Sequence, residues 1–275
     1  MMMNNTDIRI YCFYYKPSVV PIEDSLYKPI YAGKALITNP SKMIGDDTGD
    51  SISEKNRYYS ELTGIYWVWK NTAHQITGSC HYRRYFYSHE NEPFDLKVKR
   101  FLYYIIGQHK TRHGLIYTNN LKRFKQKILN EEDITESLKT YDVILPQKRK
   151  FRYTVKEHYK RYHNPADLEI VETILKNNFP EYLDAFHKML NGKKLYANNM
   201  FIMPAHHFQP FMDWWFSILF QFEKEIDLNK YIGYQQRVIG FMAERLLTTW
   251  FIHQNLNIKE LPVIYFKRLK YQNLM

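Results

Sequence analysis

The sequence is poor in cysteine and has no long apolar run. Its two cysteines, Cys12 and Cys80, do not have the spacing of a metal finger, so we expect neither a disulfide framework nor a zinc finger. We therefore expect the protein to lie in a reducing compartment. No stretch approaches the roughly 18 uninterrupted apolar residues that a membrane span needs. Residues 1–15 also lack the basic region and long apolar run of a secretion signal. We therefore expect a cytoplasmic protein, peripheral on the inner leaflet of the membrane where it meets one.

Several catalytic motifs are missing as well. The sequence contains no Walker phosphate loop, no GxGxxG, no serine nucleophile elbow and no HExxH. His206 and His207 are adjacent, so their side chains diverge and do not form a zinc site. Kinases, dehydrogenases and hydrolases of those kinds are poor interpretations of this chain.

Aromatic residues and positive charge are abundant. The 275 residues include 24 Tyr, 17 Phe and 5 Trp, which suit both cores and sites that stack on ring-shaped ligands. The 39 Lys and Arg exceed the 28 Asp and Glu, which gives a net charge of +11. This excess favours partners that carry phosphate: nucleic acid, an anionic membrane surface or a phosphorylated small molecule. The charge alone does not choose among them.

Predicted strands and helices alternate along the chain, which favours an α/β fold with a mostly parallel central sheet. Ligands of such sheets bind at the carboxyl ends of the strands. Residues 17–53 read as a loop, and residues 94–130, dense in Lys and Arg, read as a basic insertion. The other predicted elements are strands at 8–15, 76–80 and 194–204, a helix and then a strand within 131–146, and helices at 57–71, 153–190 (with two breaks), 207–226 and 234–254.

HYRR, residues 81–84, follows the predicted strand 76–80 and therefore sits at a carboxyl end. Guanidinium groups suit a diphosphate because their planar donors bind two oxygens at once and stay charged. In the alternative, one arginine is exposed and the other pairs with a carboxylate. Consecutive side chains of an extended segment point in opposite directions, so only one of Arg83 and Arg84 would contact phosphate unless the chain turns there.

The acidic loop GDDTGD precedes a predicted helix. Asp46, Asp47 and Asp50 could meet sugar hydroxyls or a divalent cation, since hard cations choose oxygen ligands. A turn that starts the following helix explains the same residues, and without another argument it is the preferred interpretation.

Two polar features lie in predicted apolar elements. Glu244, on a mostly apolar helix, could face a cavity as a general base or form an ion pair with Arg245 or Arg237. Asn198 and Asn199 fall in a predicted strand, which Asn disfavours. They could bind a polyhydroxyl ligand, or they could form a bulge or a turn.

Five segments together resemble a known family: DDTGDSISEKNRYYSELTGIYWVWKN, GSCHYRRYF, YDVILP, LYANNMFIM and YQQRVIGFMAERL. In order and spacing they are similar to the bacterial domain-of-unknown-function family numbered 4422, found among capsular, exopolysaccharide and O-antigen glycosyltransferases. The resemblance implies a nucleotide-sugar transferase fold of the GT-A type. Residues 1–150 would then form the nucleotide-sugar-binding half and residues 151–275 a mainly helical acceptor-binding half, within one compact domain.

The chain departs from the family pattern in two places. Tyr15-Lys16-Pro17 stands where members often have His-Lys-Pro, and the basic segment from Phe94 to Asn120 looks like extra length. HYRR belongs to the matching segments, and it stands where GT-A enzymes in general commonly have an Asp-x-Asp metal motif. The resemblance therefore implies that His81, Arg83 and Arg84 bind the diphosphate. Mn²⁺ or Mg²⁺ stays open as a cofactor, because the GDDTGD carboxylates could restore a metal site.

The resemblance also assigns the other site residues. They are Tyr11, Cys12 and Phe13 for the nucleotide base, Asp46, Asp47, Asp50, Lys55 and Asn56 for the ribose or donor sugar, Asn198, Asn199, Gln235 and Arg237 for the sugar or acceptor, and Glu244 and then Asp142 as the catalytic base.

The implied function is transfer of a hexose from a nucleotide-sugar to a growing lipid-linked surface polysaccharide. The donor would be UDP-galactose, UDP-galactofuranose or UDP-glucose, and the basic surface would rest on the anionic inner leaflet. Two other classes fit the composition: a nucleic-acid-binding protein, and a non-catalytic scaffold of a polysaccharide assembly complex. Because the basic residues are dispersed, we do not expect nucleic acid as a partner; salt-sensitive binding to oligonucleotides would revive that interpretation.

Overall fold

The computed structural model describes residues 6–38, 42–88, 111–112, 114–267 and 269. The strands are β1 (Ile8–Tyr14), β2 (Tyr27–Tyr31), β3 (Ile76–His81), β4 (Arg84–Phe86), β5 (Thr111–Arg112), β6 (Leu115–Thr118), β7 (Val143–Pro146), β8 (Arg149–Lys150), β9 (Lys194–Leu195), β10 (Phe201–Pro204), β11 (Ile258–Leu261) and β12 (Val263–Phe266). The helices are α1 (Asn56–Tyr59), α2 (Leu62–Asn71), α3 (Leu121–Lys125), α4 (Glu131–Thr140), α5 (Val155–Tyr162), α6 (Ala166–Asn178), α7 (Leu183–Asn191), α8 (Ala205–Glu225) and α9 (Val238–Gln254).

A central sheet has the strand order β2-β1-β3-β10-β7-β11. β1, β2, β3, β7 and β11 run in one direction, and β10 runs against both of its neighbours. Each face of this sheet carries an apolar core, and α8 and α9 supply many of the aromatic side chains of one of them. The α/β fold with a mostly parallel central sheet is therefore confirmed.

A second group of strands branches from the end of β3. A tight turn at Tyr82 and Arg83 reverses the chain into β4, which continues the sheet through β12, β6 and β5. Because these strands begin at the carboxyl end of β3, they form one side of a crevice at that edge of the sheet.

The strand ends define that edge. β1, β2 and β3 are parallel, and their register places Phe13 beside His81 and Tyr14 beside Tyr31. β10 runs the other way, so the residues that precede it, Asn198 and Asn199, arrive at the same edge. The sheet therefore gathers residues from distant parts of the chain at one crevice, where ligands of α/β sheets bind.

Local sequence explains the packing that supports the crevice. β1, IRIYCFY, alternates its side chains between the two cores, and Phe13 faces the core that contains α2. A Cβ on Gly64 of α2 would lie 2.4 Å from the Phe13 ring, so glycine allows this helix to approach the strand closely. Phe13 is thereby fixed at the crevice floor.

Three elements differ from the sequence prediction. The segment 17–53, predicted as a loop, contains the buried strand β2. Its Pro29 argues against a central strand, yet β2 lies at the sheet edge beside β1, where proline is tolerated. The predicted helix 57–71 is two helices, because Ser60 adopts a φ of 53° between them.

The predicted strand 194–204 is also interrupted. Only β9 and β10 are extended, and Asn198 and Asn199 between them have φ values of 82° and 49°. Asn enters this left-handed region more readily than other side chains, so the turn alternative is correct. The sequence prediction also missed β11 and β12, because they lie in the segment that reads as a basic tail.

Strands from both predicted halves of the chain share one sheet, since β10, β11 and β12 pair with β3, β7 and β4. Of the predicted basic insertion 94–130, residues 94–110 and 113 lie outside the described residues. The remainder contributes β6, which pairs with β12, and α3. No helix among the residues that the structure describes is both long enough and apolar enough to cross a bilayer.

Candidate active site

A cleft with two lobes lies at the carboxyl edge of the sheet. The first lobe, of about 430 Å³, is bounded by the ends of β1 and β3, by α1 and by β12. The second lobe, of about 450 Å³, is bounded by α5 and α9. Both lobes share four lining residues: Glu61, His81, Arg84 and Arg237. The two lobes therefore meet at a cluster of one carboxylate, one imidazole and two guanidinium groups.

The turn after β3 brings both arginines of HYRR to the first lobe. Because the chain reverses at Tyr82 and Arg83, the side chains of Arg83 and Arg84 both line this lobe. Their guanidinium carbons lie 5.2 and 5.1 Å from the ring centre of Tyr265. Among the described residues, neither forms an ion pair, and the buried Nε atom of each has no hydrogen-bond partner. These guanidinium groups can thus accept an anionic ligand.

His81 is a neutral hydrogen-bond donor in this arrangement. Its Nε2 donates to the backbone oxygen of Asn198 at 2.5 Å. The pKa of His81 is lowered to about 4, chiefly by burial and also by the nearby Arg84 charge, against the opposing effect of Glu61. The imidazole is therefore uncharged at neutral pH, and the fixed positive charge of the turn comes from the arginines alone.

Glu61, which the sequence prediction missed, joins the elements around the cleft. Its Oε1 accepts from Asn199 Nδ2 at 2.9 Å, and its Oε2 lies 3.4 Å from Arg237 Nη2. Burial acts to raise the pKa of Glu61, while the Arg237 charge and the Asn199 hydrogen bond act to lower it, and the direction of the shift is downward. Glu61 is therefore an ionised group that holds Arg237 at the boundary between the lobes.

The left-handed turn at Asn198 and Asn199 links this cluster to the second lobe. The Asn198 N–H donates to Glu244 Oε1 at 2.7 Å, while its carbonyl accepts from His81. Asn199 is buried, and its carbonyl accepts from Ser79 Oγ at 2.9 Å. The turn consequently fixes Glu61, His81 and Glu244 relative to one another.

Glu244 lies in the wall of the second lobe. Its Oε2 is 3.6 Å from Arg245 Nη1, and Oε1 holds the Asn198 amide. Burial raises the pKa of Glu244, and the negative charge of Glu61 adds to the shift, while Arg245 and the Asn198 amide oppose it. A carboxylate with a raised pKa inside a cavity has the properties of a general base.

Charge and aromatic rings distinguish the first lobe. Four guanidinium groups line it against the single carboxylate of Glu61, so its potential is strongly positive; they belong to Arg57, Arg83, Arg84 and Arg237. Phe13 and the half-exposed Tyr15 supply rings at the end of β1. An anion with an attached flat ring matches this lining.

The second lobe is more mixed. Aromatic side chains, including Tyr162, Tyr234 and Phe241, alternate with polar groups around it. Burial lowers the pKa of both His158 and His163 to about 4, so both imidazoles are neutral and serve as hydrogen-bonding groups. Rings interspersed with neutral donors and acceptors are suited to a carbohydrate.

Of the predicted site residues, those that line one or both lobes are Phe13, Asn56, His81, Arg83, Arg84, Asn198, Gln235, Arg237 and Glu244. Asn199 lies buried directly behind them. The remaining predicted residues lie elsewhere.

The acidic loop supports the crevice without lining it. The buried Asp46 carboxylate accepts from the backbone N–H groups of Gly33 and Lys34 at 2.9 and 3.1 Å and from Ser53 Oγ at 2.5 Å. Asp50 accepts from Tyr66 Oη at 2.9 Å, and Asp47 is exposed. The structure thus favours the turn interpretation of this loop, with Asp46 as its organising residue.

Tyr11 and Cys12 lie too early in β1 to reach the cleft. Tyr11 Oη is hydrogen-bonded to His74 Nε2 at 2.9 Å, and Cys12 is buried in the core on the other face. Only the end of β1 borders the crevice, so the aromatic residues of this segment that line it are Phe13, Tyr14 and Tyr15.

Lys55 and Asp142 are likewise placed outside the cleft. Lys55 Nζ pairs with Glu223 Oε2 of α8 at 2.8 Å. Asp142 precedes β7 and accepts from the Asn257 N–H at 2.8 Å. Since β7 runs parallel to β3, Asp142 sits at the amino edge of the sheet, opposite the cleft. This position gives it no contact with a ligand of the cleft.

The donor set of the cleft does not fit a divalent cation. In the part of the chain that the structure describes, no three His, Cys, Asp or Glu side chains are grouped closely enough to hold a metal ion. Asp46 is committed to backbone amides, and Glu61 is paired with Arg237. A hard cation needs several oxygen ligands, whereas this cleft offers mainly positive charge.

The comparison with protein families matches residues 9–255 to the family described as "Domain of unknown function (DUF4422)". The chain belongs to this family. The matched range of this DUF4422 chain contains all but the first residue of β1, together with β3, the HYRR turn and Glu244. The resemblance found in the sequence is therefore confirmed.

The structure is also similar to a solved protein described as "WbbM bifunctional glycosyltransferase apo structure". The TM-score is 0.83 and the sequence identity 32%, over 95% of this chain and 46% of the other. This DUF4422 chain thus spans about half the length of that protein. The comparison with curated proteins gives no match. The likeness confirms that the chain has the fold of part of a glycosyltransferase.

Proposed function

We propose that this chain is a glycosyltransferase of the GT-A type that moves a hexose from a nucleoside-diphosphate sugar to a growing lipid-linked surface polysaccharide. The observation that carries the proposal is the pair Arg83 and Arg84, which face the first lobe without a carboxylate partner among the described residues. The similarity to a solved glycosyltransferase supports the same reaction class.

In this proposal the first lobe binds the donor. Arg83 and Arg84 contact the diphosphate through planar, permanently charged donors. The base stacks near Phe13 and Tyr15, and Asn56 lines the wall beside the ribose. We infer UDP as the nucleotide, with galactose, galactofuranose or glucose as the transferred hexose, by analogy with the family's surface-polysaccharide setting.

The second lobe binds the acceptor sugar, and the shared cluster marks the point of transfer. The acceptor hydroxyl oxygen forms a bond to the anomeric carbon while the bond from that carbon to the β-phosphate oxygen breaks. The hydroxyl proton passes to the Glu244 carboxylate, and the electron pair of the broken bond leaves on the diphosphate. Attack from the side opposite to the leaving group inverts the anomeric centre.

The arginines supply the electrostatic part of this reaction. Negative charge grows on the β-phosphate as the nucleotide departs, and preorganised donors aimed at that charge lower the barrier. Neutral His81 does not add to this field, and its role is to fix the Asn198 carbonyl. Because the cleft does not fit a divalent cation, the proposed transfer relies on the fixed positive charge of the arginine side chains to stabilise the leaving diphosphate.

Donor binding can be tested with a thermal-shift panel of UDP-, GDP-, CMP- and dTDP-sugars, each with Mn²⁺ or with EDTA. We expect UDP-sugars to raise the melting temperature of the chain to the same extent in EDTA as in Mn²⁺. Ligand binding to the native state stabilises by mass action, so a concentration about 100-fold above Kd contributes about 2.7 kcal/mol.

Two outcomes would contradict the proposal. Stabilisation that appears only with Mn²⁺ would show that donor binding requires a metal ion. No stabilisation by any nucleotide-sugar would leave the scaffold interpretation, and binding of oligonucleotides in the same assay would favour a nucleic-acid partner.

A further inference from the structure

Positive charge is concentrated beside the mouth of the second lobe. Residues 148–161 contain seven basic residues and one acidic residue, Glu157, so this short segment carries +6 of the chain's net +11. Six of the basic side chains are exposed: Arg149, Lys150, Arg152, Lys156, Lys160 and Arg161. None of the six is used to bind the donor in the first lobe.

We call these six side chains the basic ridge, and three of them lie on α5. Val155 and Tyr159 bury one side of α5, which leaves Lys156, Lys160 and Arg161 on its outer side. The Arg161 and Arg152 guanidinium carbons lie 3.9 and 5.5 Å from the Tyr153 ring. The Tyr153 ring thus lies against two of the positive charges and does not neutralise them.

Three exposed apolar side chains stand beside the ridge. Tyr162, Ile232 and Tyr234 are 60%, 76% and 66% exposed, and they are half of the six large exposed hydrophobic side chains among the described residues. Gln235 ties them together, because its Nε2 donates to the Tyr162 backbone oxygen at 2.7 Å and its Oε1 accepts from His163 Nδ1 at 2.9 Å. These three side chains, which we call the apolar rim, therefore lie next to the end of α5.

The rim and the ridge both border the second lobe. Tyr162, Tyr234 and Arg149 line it directly. The neighbouring groove is lined by Arg161 of the ridge, by Ile232 and by the acidic residues Glu225 and Asp227. A basic ridge with apolar side chains at its edge is complementary to an anionic bilayer, where phosphate headgroups overlie acyl chains.

We infer that the basic ridge and the apolar rim dock the chain on an anionic phospholipid bilayer with the second lobe facing the membrane. This inference rests on the proposed function, because a lipid-linked acceptor must enter the lobe from the bilayer. The ridge contacts the headgroups, Ile232 enters the interface, and the first lobe stays open to the aqueous donor.

The test is co-sedimentation of the chain with vesicles of phosphatidylglycerol and phosphatidylcholine, and with vesicles of phosphatidylcholine alone. Binding to the anionic vesicles is expected at low salt and should fall steeply as salt screens the contact. Combined Arg152→Glu, Lys156→Glu and Lys160→Glu should lower the partition coefficient on the order of 100-fold. Soluble inorganic phosphate, added at constant ionic strength, should not displace the chain.

A matched variant controls for net charge. Lys122, Lys125 and Lys139 are exposed on α3 and α4, which pack on the opposite face of the sheet. Reversal of these three charges should have a much smaller effect than reversal on the ridge. Ile232→Ser should weaken vesicle binding, whereas Ile44→Ser, at a site 61% exposed in another part of the surface, should not.

Equal binding to neutral and anionic vesicles, or equal losses in the two charge-reversed variants, would overturn the docking inference. No sedimentation with anionic vesicles at low salt would also overturn it. UDP-sugar binding in the thermal-shift assay should be unchanged in all of these variants. Failure of donor binding in the wild type would instead contradict the proposed function.

Discussion

Replacement of Glu244 by Gln should lower kcat for glycosyl transfer by about 10²–10⁴-fold, the usual contribution of a general base. The amide oxygen of Gln can still accept the Asn198 N–H that now reaches Glu244 Oε1, so the turn at the cleft should keep its geometry. Donor binding should therefore survive, as measured by the thermal shift with UDP-sugar. The effect should appear in kcat and not in donor affinity.

The pH profile gives an independent check on Glu244. A base acts only when it is deprotonated, so activity should fall as the pH drops through its pKa. Because burial raises that pKa, the acid limb of the kcat profile should lie above the pH at which an exposed glutamate titrates. Glu61→Gln removes a negative charge that adds to this shift, so it should move the limb to lower pH without abolishing it. An acid limb that persists in Glu244→Gln, or a variant with nearly full activity, would remove Glu244 from the base role.

Replacement of Arg84 by Ala should lower kcat/KM by about 10²–10³-fold, as expected when one preorganised group that stabilises developing charge is removed. Arg84 lines both lobes and has a buried Nε without a partner. The loss should therefore affect both the affinity for the donor and the rate of diphosphate departure. Steady-state kinetics with varied UDP-sugar separates the two.

Two further substitutions test why Arg84 matters. Arg84→Lys keeps one charge but loses the planar fork, so we expect a partial loss. Arg9→Ala removes an arginine that lies near Asp7 at the opposite edge of the sheet and should leave kinetics unchanged. Wild-type kinetics in Arg84→Ala, with the fold intact by circular dichroism, would contradict the proposed diphosphate site.

The sequence predicted those parts of the site that lie on strongly periodic elements. Strand β3 and the position of HYRR follow from an apolar run and its end, and α9 follows from its apolar spacing, which places Glu244. The reversal of the chain at Arg83 was not readable, since no Gly or Asn marks that turn. The structure thus brings to one lobe two arginines that an extended segment would have separated.

Residues fixed by long-range contacts could not be predicted. In the sequence, Glu61 is one polar residue within the predicted helix 57–71, and only its contacts with Asn199 and Arg237 in the structure reveal its central place in the cleft. Tyr265 lies on β12, which looks like a basic tail until it pairs with β4 and β6. Conversely, the acidic loop suggested a ligand site because its partners, the Gly33 and Lys34 amides, are invisible in sequence.

The decisive experiment is a transfer assay with the purified chain, radiolabelled UDP-galactose, UDP-galactofuranose or UDP-glucose, and lipid-linked oligosaccharide from polysaccharide-producing bacteria, all in EDTA. Incorporation of label from one donor into the lipid fraction, with release of an equal amount of UDP, is the expected result. The same assay with Glu244→Gln should show almost no incorporation. Absence of transfer from every donor, or transfer that requires added Mn²⁺, would contradict a glycosyltransferase that works on fixed arginine charge.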